Sequence, residues 1–134
     1  MQLIRAALIA GLSLMLASAA MAQSLSPTHG VGPTPSDIKG FKLRVGNPYK
    51  TAMTFVVTPM DPAFNGPVEG AEVQPSLLTL APGFSRQVIV AFKIGPGSKE
   101  RTIGVCVMPQ KIMGPVLPRV CGRYTGELLS RPGG

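Results

Sequence analysis

The 134-residue sequence has few of the side chains on which enzymes and metal sites depend. It holds one histidine, His29, with 2 cysteines and 6 acidic residues, and the carboxylates show no pairing along the chain. A zinc site takes about four ligands, which one His and two Cys do not supply. Acid–base and nucleophilic catalysis both need a positioned base, and the sequence shows none. We therefore predict a non-enzymatic protein that binds no cofactor and no metal.

Aromatic residues are also scarce, at 5% of the chain with no tryptophan. Lys and Arg number 13, for a formal net charge of +7, but they are scattered and form no run. Proteins that bind single-stranded nucleic acid combine a basic groove with aromatic side chains that stack on the bases. We therefore expect a solvated basic surface and no nucleic-acid partner.

Long apolar runs are confined to the N-terminus of the chain. Arg5 precedes a short apolar run, and the segment ends in the small-residue motif Ala20-Met21-Ala22. This order is typical of a secretory signal peptide with cleavage before Gln23. The run is short for a membrane span of about 20 residues, and no later segment is long and apolar enough to cross a bilayer. We predict a signal peptide over residues 1–22 and one exported domain, periplasmic or secreted, over residues 23–134.

Both cysteines, Cys106 and Cys121, lie in the region predicted to be exported. An even pair in an exported chain is read first as a structural disulfide. The spacing of 14 residues between them lacks the C-x-x-C pattern of a redox site. We therefore predict a structural disulfide between these two residues.

Strand patterns cover the exported region. Apolar residues recur with period 2, as at Phe41, Leu43 and Val45, and Pro and Gly separate the runs. About seven short strands with regular turn signals are typical of an immunoglobulin-like sandwich. In the run AEVQPSLLTL, Pro75 allows only an edge position or a break. We predict an all-β, immunoglobulin-like β-sandwich of about seven antiparallel strands.

The stretch LAPGFSRQVIVAF places a turn directly before an alternating strand. Pro82-Gly83 closes the turn, and Val88, Val90 and Phe92 then share one face of the strand. A slip of one residue would point every side chain to the wrong face, so the turn sets the register. We expect Val88, Val90 and Phe92 to lie in the core.

The cysteines fit this arrangement of strands. If residues 101–109 and 117–128 form the last hairpin, Cys106 and Cys121 lie opposite each other. Cys106 alternates out of phase with its apolar neighbours, which are expected to face the core. The bond is therefore expected on the outer face of its sheet, within one hairpin.

Methionine raises a minor alternative. Exported copper-binding sandwiches use clusters of Met and His, because thioethers suit Cu(I). Here the methionines are dispersed, and Met53 falls on a predicted core face, where packing is its expected role. A periplasmic copper-binding carrier is therefore the weakest alternative. The methionines outside the predicted signal peptide are Met53, Met60, Met108 and Met113.

Three stretches together resemble a known family. They are FKLRVGNPYKTAMTFVVTPMD, VQPSLLTLAPGFSRQVIVAF and ERTIGVCV. They are similar to the N-terminal immunoglobulin-like domain of periplasmic pilus chaperones. More broadly, they resemble the PapD-like superfamily, which includes major sperm protein domains. The resemblance covers about residues 24–127, does not extend to the second domain of a typical chaperone, and implies a fold more specifically than a function.

The resemblance implies a role for the last strand. Family members use this strand to complete the fold of a pilin subunit, and two basic residues anchor the terminal carboxylate of that subunit. In this chain Arg119 or Arg123 would be one anchor, and the segment SPTHGV carries no arginine for the other. We expect the last strand to be an open edge that pairs with a protein partner. Its expected contact residues are Val116, Arg119, Val120, Arg123 and Tyr124.

The leading interpretation is an exported, non-enzymatic, protein-binding module that serves as a chaperone-like or accessory factor in envelope or pilus-like appendage assembly. The alternative is a structural sandwich subunit of an envelope complex. A chaperone-like binder needs an open edge strand with apolar residues, whereas a structural subunit would copurify in a stable complex. A competing interpretation of Arg119 and Arg123 makes them gatekeepers that protect the edge from aggregation.

Overall fold

The computed structural model describes residues 23–111, 114–115 and 118–129 of the chain. Over these residues two β-sheets form a sandwich, which confirms the predicted fold class. The predicted signal peptide, Val116 and Met113 lie outside the described residues. The strands are β1 (Ser24–Ser26), β2 (His29–Thr34), β3 (Ile38–Gly46), β4 (Met53–Met60), β5 (Ala71–Gln74), β6 (Leu77–Leu80), β7 (Ser85–Lys93), β8 (Glu100–Pro109) and β9 (Val120–Leu128).

The four-stranded sheet has the order β1-β3-β7-β5, and the five-stranded sheet has the order β2-β9-β8-β4-β6. Neighbouring strands are antiparallel except β2 and β9, which run parallel. Within the described ranges, no helix has the length and apolar character of a membrane span.

The chain changes sheet at every connection from β1 to β8. At two of these crossings, between β1 and β2 and between β5 and β6, the peptide bonds Ser26–Pro27 and Gln74–Pro75 are cis. The crossing at Pro75 divides the predicted run AEVQPSLLTL into β5 and β6, and the sandwich has nine strands instead of about seven. The prediction that Pro75 breaks its run is confirmed.

The core lies between the two sheets and follows the predicted alternation. On β7, Val88 and Val90 are 0% exposed and Phe92 is 1% exposed, whereas Ile89 on the opposite face is 44% exposed. Burial of these side chains is the main favourable term that holds the two sheets together. The other fully buried large hydrophobic side chains come from both sheets: Leu43, Val45, Phe55, Val57, Ile103, Val105, Val107 and Tyr124.

The turn before β7 is anchored to the end of β3. The Phe84 N–H donates to the Ala81 carbonyl at 3.1 Å, and Gly83 adopts a φ of +76° that favours glycine. Asn47, which is 2% exposed, donates its side-chain amide to the carbonyl of Leu80 at 2.9 Å. Its main chain also bonds to Gly83 and Phe84. The turn that sets the register of β7 is therefore held by a buried polar side chain.

Candidate protein-binding site

The last strand, β9, is paired on both sides over most of its length. It is antiparallel to β8 and parallel to β2, from the pair His29–Arg123 to the pair Thr34–Leu128. The expectation that the last strand is an open edge is therefore wrong for Arg123–Leu128, because β2 pairs with these residues and forms the edge on that side of the sheet. The sequence of β2 shows no alternation of apolar and polar side chains, because its inward positions include Gly30 and Gly32, which have no side chain.

Glycine at these positions lets β2 lie close to the core. A Cβ atom at Gly30 would lie 3.1 Å from the ring of Phe41 and 3.2 Å from the ring of Tyr124. A larger residue would push β2 away from β9, so the close approach explains how β2 covers that strand.

Only the first residues of β9, Val120–Gly122, lack a strand partner on the side away from β8. The Cα atoms of Cys106 and Cys121 are 4.1 Å apart, which is the short spacing of a non-hydrogen-bonded antiparallel pair. The N–H and C=O of Cys121 therefore point away from β8. The Arg123 N–H already donates to the Thr28 carbonyl at 3.0 Å, so the open stretch ends there.

The predicted disulfide is present in the structure. Cys106 and Cys121 lie directly opposite each other on β8 and β9, and their sulfur atoms are bonded. Both side chains lie on the outer face of the five-stranded sheet, since Val105 and Val107 beside Cys106 face the core. Cys106 is nevertheless only 2% exposed, so this part of the outer face is covered.

The two arginines of the predicted site contact the same loop, residues 61–66. Arg119 donates from Nη1 to the Phe64 carbonyl at 3.1 Å, and Arg123 donates from Nε to the Pro62 carbonyl at 2.7 Å. The guanidinium carbon of Arg123 also lies 4.7 Å from the centroid of the Phe64 ring. A cation over an aromatic face adds to these bonds. The fold therefore brings both cationic groups to one patch on the outer face of β9.

Asp61 folds the loop into a compact turn. Its carboxylate accepts the N–H of Ala63 at 2.8 Å and the N–H of Gly66 at 2.7 Å. Desolvation raises the pKa of the Asp61 carboxyl, but the N–H groups of Asn65, Ala63 and Gly66 outweigh that effect and hold its pKa below the usual value. These bonds favour the charged carboxylate, so the turn is strongest when Asp61 is ionised.

The loop fits the sheet because β8 has a glycine beneath it. A Cβ atom at Gly104 would lie 2.7 Å from the Asp61 carbonyl oxygen and 2.7 Å from the Phe64 ring. Phe64 itself has a φ of 62°, an uncommon value for a residue with a side chain. The turn-forming residues of the segment MDPAFNGPVEG predict a loop, but nothing in them indicates which surface the loop covers.

Two predicted contact residues point into the core. Tyr124 is 0% exposed, and its hydroxyl donates to the Pro27 carbonyl at 2.5 Å. Burial raises the pKa of Tyr124 to about 12. Val120 is partly buried and packs against the core cluster. The expectation that these two side chains contact a partner is corrected, because in this structure both face inward.

Met60 and Met108, two of the methionines that the structure describes, do not come together. Met60 lies opposite Gly104 and Met108 lies opposite Val56, so they are separated by four positions along the β4–β8 ladder. At about 3.3 Å per residue, that separation is too long for both sulfurs to bind one ion. Among the described residues, no group of three His, Cys, Asp or Glu side chains is placed to hold a metal ion.

No protein-family model matches the sequence, and no curated protein matches it either. Solved structures do match. The E. coli chaperone DraB has a TM-score of 0.65 and 18% identity, over 81% of this chain and 55% of its own. The structure of the Salmonella enterica SafA pilin in complex with the SafB chaperone gives a TM-score of 0.66 at 17% identity, over 87% of this chain and 59% of the matched chain.

A human domain has the same architecture. The PapD-like domain 7 of CEP192 matches with a TM-score of 0.59 at 12% identity, over 89% of this chain and 93% of that domain. These similarities show that the chain has the PapD-like immunoglobulin fold, which confirms the resemblance seen in the sequence. The chain spans little more than half the length of the two chaperone-structure chains. At such identities the similarity concerns the fold alone.

Proposed function

We propose that the protein is an exported, non-enzymatic, protein-binding module that acts as a chaperone-like or accessory factor in the assembly of an envelope or pilus-like appendage. The partner contributes an extended segment that pairs with the open side of Val120–Gly122. The observation that carries this proposal is the position of that open side between Arg119 and Arg123.

The main chain supports pairing with an extended segment. The N–H and C=O of Cys121 point away from β8 and have no strand partner within the described ranges. Strand addition to such an edge uses main-chain hydrogen bonds for affinity and does not depend on the inward side chains. The disulfide to Cys106 holds this stretch against β8, so a partner would meet a preformed strand.

The arginines support recognition of an anionic group on that segment. Each uses one N–H for the loop, while a guanidinium group has five donors, so both retain donors for a carboxylate. Charge-assisted bonds from Arg to carboxylate are stronger than neutral ones and can be bidentate. A terminal carboxylate of the partner is the group that this patch would fit.

The test is capture of a partner from an envelope extract by the tagged full chain. Arg119→Ala with Arg123→Ala should lose the partner while circular dichroism shows a folded sandwich. If this variant keeps the partner at wild-type affinity, the anionic-anchor role is ruled out and the arginines serve only to hold the loop. Failure of the wild-type protein to capture any partner would count against the binding function itself.

Two matched controls separate the possible causes of a loss. Lys42→Ala with Arg44→Ala removes the same charge from the other sheet, where both side chains are exposed, and should leave capture unchanged. Phe64→Ala loosens the loop but keeps both arginines, so it should also leave capture largely intact. A loss in the Phe64 variant equal to that of the arginine variant would show that the loop, and not the cationic groups, makes the contact.

A structural subunit is the second candidate. The CEP192 domain has this fold over nearly the same extent, so the fold by itself does not distinguish the two candidates. A structural subunit would remain in one stable complex through purification, whereas an assembly factor would be released from its partner. Size-exclusion chromatography of the captured complex distinguishes these outcomes.

A further inference from the structure

The loop at residues 61–66 contains the dipeptide Asn65-Gly66, in which the asparagine side chain is chemically reactive. An asparagine deamidates when the main-chain nitrogen of the next residue attacks its side-chain amide. Glycine favours this attack because it has no Cβ to obstruct it, whereas proline has no N–H to lose and cannot attack. The other asparagine of the sequence, Asn47, is followed by Pro48. Asn65 is therefore the asparagine of this chain that can react by this route.

The reaction at Asn65 would form and then open a cyclic imide. The Gly66 nitrogen loses its proton and bonds to Cγ of Asn65, and the side-chain nitrogen leaves as ammonia. Water then adds to either carbonyl carbon of the imide, and residue 65 becomes an aspartate or an isoaspartate. Water is the only co-reactant, so the rate depends on how freely the Gly66 nitrogen can lose its proton and reach Cγ.

Asp61 holds the attacking nitrogen in a hydrogen bond. The Gly66 N–H donates to Oδ2 of Asp61 at 2.7 Å, and the Asn65 N–H donates to the same oxygen at 3.1 Å. The Gly66 carbonyl in turn accepts the N–H of Asp61 at 2.9 Å. The main chain of Gly66 is therefore fixed on both sides of its α-carbon.

This arrangement opposes the attack for two reasons. The bond to Asp61 must break before the Gly66 nitrogen can reach Cγ. The deprotonated nitrogen would also carry a negative charge beside the ionised carboxylate, and a like charge nearby disfavours ionisation. Asn65 itself is exposed to solvent. The restraint on the reaction is therefore the hydrogen bond from Gly66, and not burial of the asparagine.

We infer that Asn65 is a deamidation site whose rate is set by Asp61: the reaction is slow while the turn is formed and fast when the loop opens. The product would alter the surface beside the two arginines. Residue 65 directly follows Phe64, whose carbonyl accepts the Arg119 guanidinium. A carboxylate there would compete for the cationic groups with an anionic partner, a consequence that rests on the proposed function, whereas the modification site does not.

The test is the rate of deamidation of the purified exported chain at mildly alkaline pH. Peptide mass spectrometry follows the reaction and separates the aspartate and isoaspartate products, which together identify the imide route. The folded wild type should react more slowly than the urea-unfolded wild type. Asp61→Ala should react at least about tenfold faster than the folded wild type, because it removes a hydrogen bond to a charged acceptor.

A conservative variant grades the effect. Asp61→Asn keeps an acceptor but removes its charge, and neutral hydrogen bonds are weaker than charge-assisted ones, so its rate should fall between those of Asp61→Ala and the wild type. Position 61 precedes Pro62, so this substitution adds no second reactive asparagine. Gly104→Ala displaces the loop without altering Asp61 and should also accelerate the reaction.

Two controls accompany these variants, and circular dichroism shows that each is folded. Glu72→Ala removes an exposed carboxylate from β5 and should leave the rate at Asn65 unchanged. Asn47 should remain an asparagine in every sample. The controls separate the hydrogen bond to Gly66 from a general effect of negative charge on the protein.

The inference is overturned if folded Asp61→Ala deamidates no faster than the folded wild type. A slower reaction in that variant would show that the carboxylate acts as a base that removes the Gly66 proton. It is equally overturned if Gly104→Ala makes the Gly66 amide exchange faster and yet keeps the wild-type rate of deamidation. These rates are measured without a partner, so they stand or fall separately from the proposed function.

Discussion

The hydroxyl of Tyr124 donates a hydrogen bond to the main-chain carbonyl of Pro27. The two residues are 97 positions apart, and the bond ties the last strand to the point where the chain first changes sheet. Because the ring is fully buried and its one polar atom is satisfied, Tyr124 serves the fold on the inner face of β9.

Tyr124 should make stability fall at high pH. Burial raises its pKa from 10.0 to about 12, so the folded state favours the neutral phenol. The resulting stabilisation is complete below pH 10 and is lost as the pH rises towards about 12. Denaturant unfolding at a series of pH values should show this loss in the wild type and a smaller loss in Tyr124→Phe. An identical slope in Tyr124→Phe would contradict the assignment, and Tyr49→Phe, with a half-buried ring, is the control.

Asn47→Ala should destabilise the protein by about 2–3 kcal/mol, because it leaves buried main-chain groups without partners. The side chain donates to the carbonyls of Leu80 and Thr51 and accepts the N–H of Tyr49. Chemical denaturation measures the change in the free energy of unfolding. Asn65→Ala, at an exposed loop position, is the control and should have little effect. A loss no larger than the control's would mean that water replaces these bonds.

Phe92→Ala should cost about 3–5 kcal/mol, the usual loss for truncating a buried phenylalanine. Phe92 is 1% exposed, and its ring centroid lies 6.2 Å from that of Phe41. Phe84→Ala removes the same atoms at a position that is 64% exposed, so it should change the free energy of unfolding much less. Equal losses in the two variants would place Phe92 outside the core.

Gly104→Ala should displace the loop at residues 61–66 and cost about 1–3 kcal/mol, as overpacking does. The new methyl group would overlap the Asp61 carbonyl and the Phe64 ring. Hydrogen exchange should show faster exchange at Ala63 and Gly66, whose N–H groups bond to Asp61. Gly40→Ala is the control, because its Cβ would meet nothing nearer than 3.7 Å. Unchanged exchange at both amides would refute the loop contact.

A thiol assay on the unfolded, unreduced protein should find no free cysteine, and two reactive thiols would rule out the bond. Replacing Cys106 and Cys121 together by alanine should lower the free energy of unfolding by about 3 kcal/mol, the loop-closure value for a short loop. Reduced wild-type protein should match the double variant in stability. A large difference between them would show that packing, and not the cross-link, is responsible.

Alternation was enough to predict the sandwich and most of its core from the sequence alone. The inward residues of β7 and β8 recur at every second position between Pro and Gly turns, and such a pattern has one favourable arrangement in a half-buried strand. The cysteine pair was also predictable, because the hairpin register places Cys106 opposite Cys121. The alternating core faces and the cysteine pair both depend on residues that are close in sequence or lie opposite each other in one hairpin.

Tertiary structure decided which residues of β9 are free to pair and which loop lies beside the two arginines. β2 covers most of β9, and its inward positions include Gly30 and Gly32. Because glycine has no side chain, these positions give no apolar–polar alternation from which a strand could be predicted. The bond from Arg123 to the Pro62 carbonyl joins residues 61 positions apart, and turn formers do not encode where their loop will lie. The sequence by itself therefore determined that the chain forms a β-sandwich with an internal disulfide. Only packing between distant segments decided which edges are open, because a strand's pattern specifies the face that it buries and not the neighbour that it pairs with.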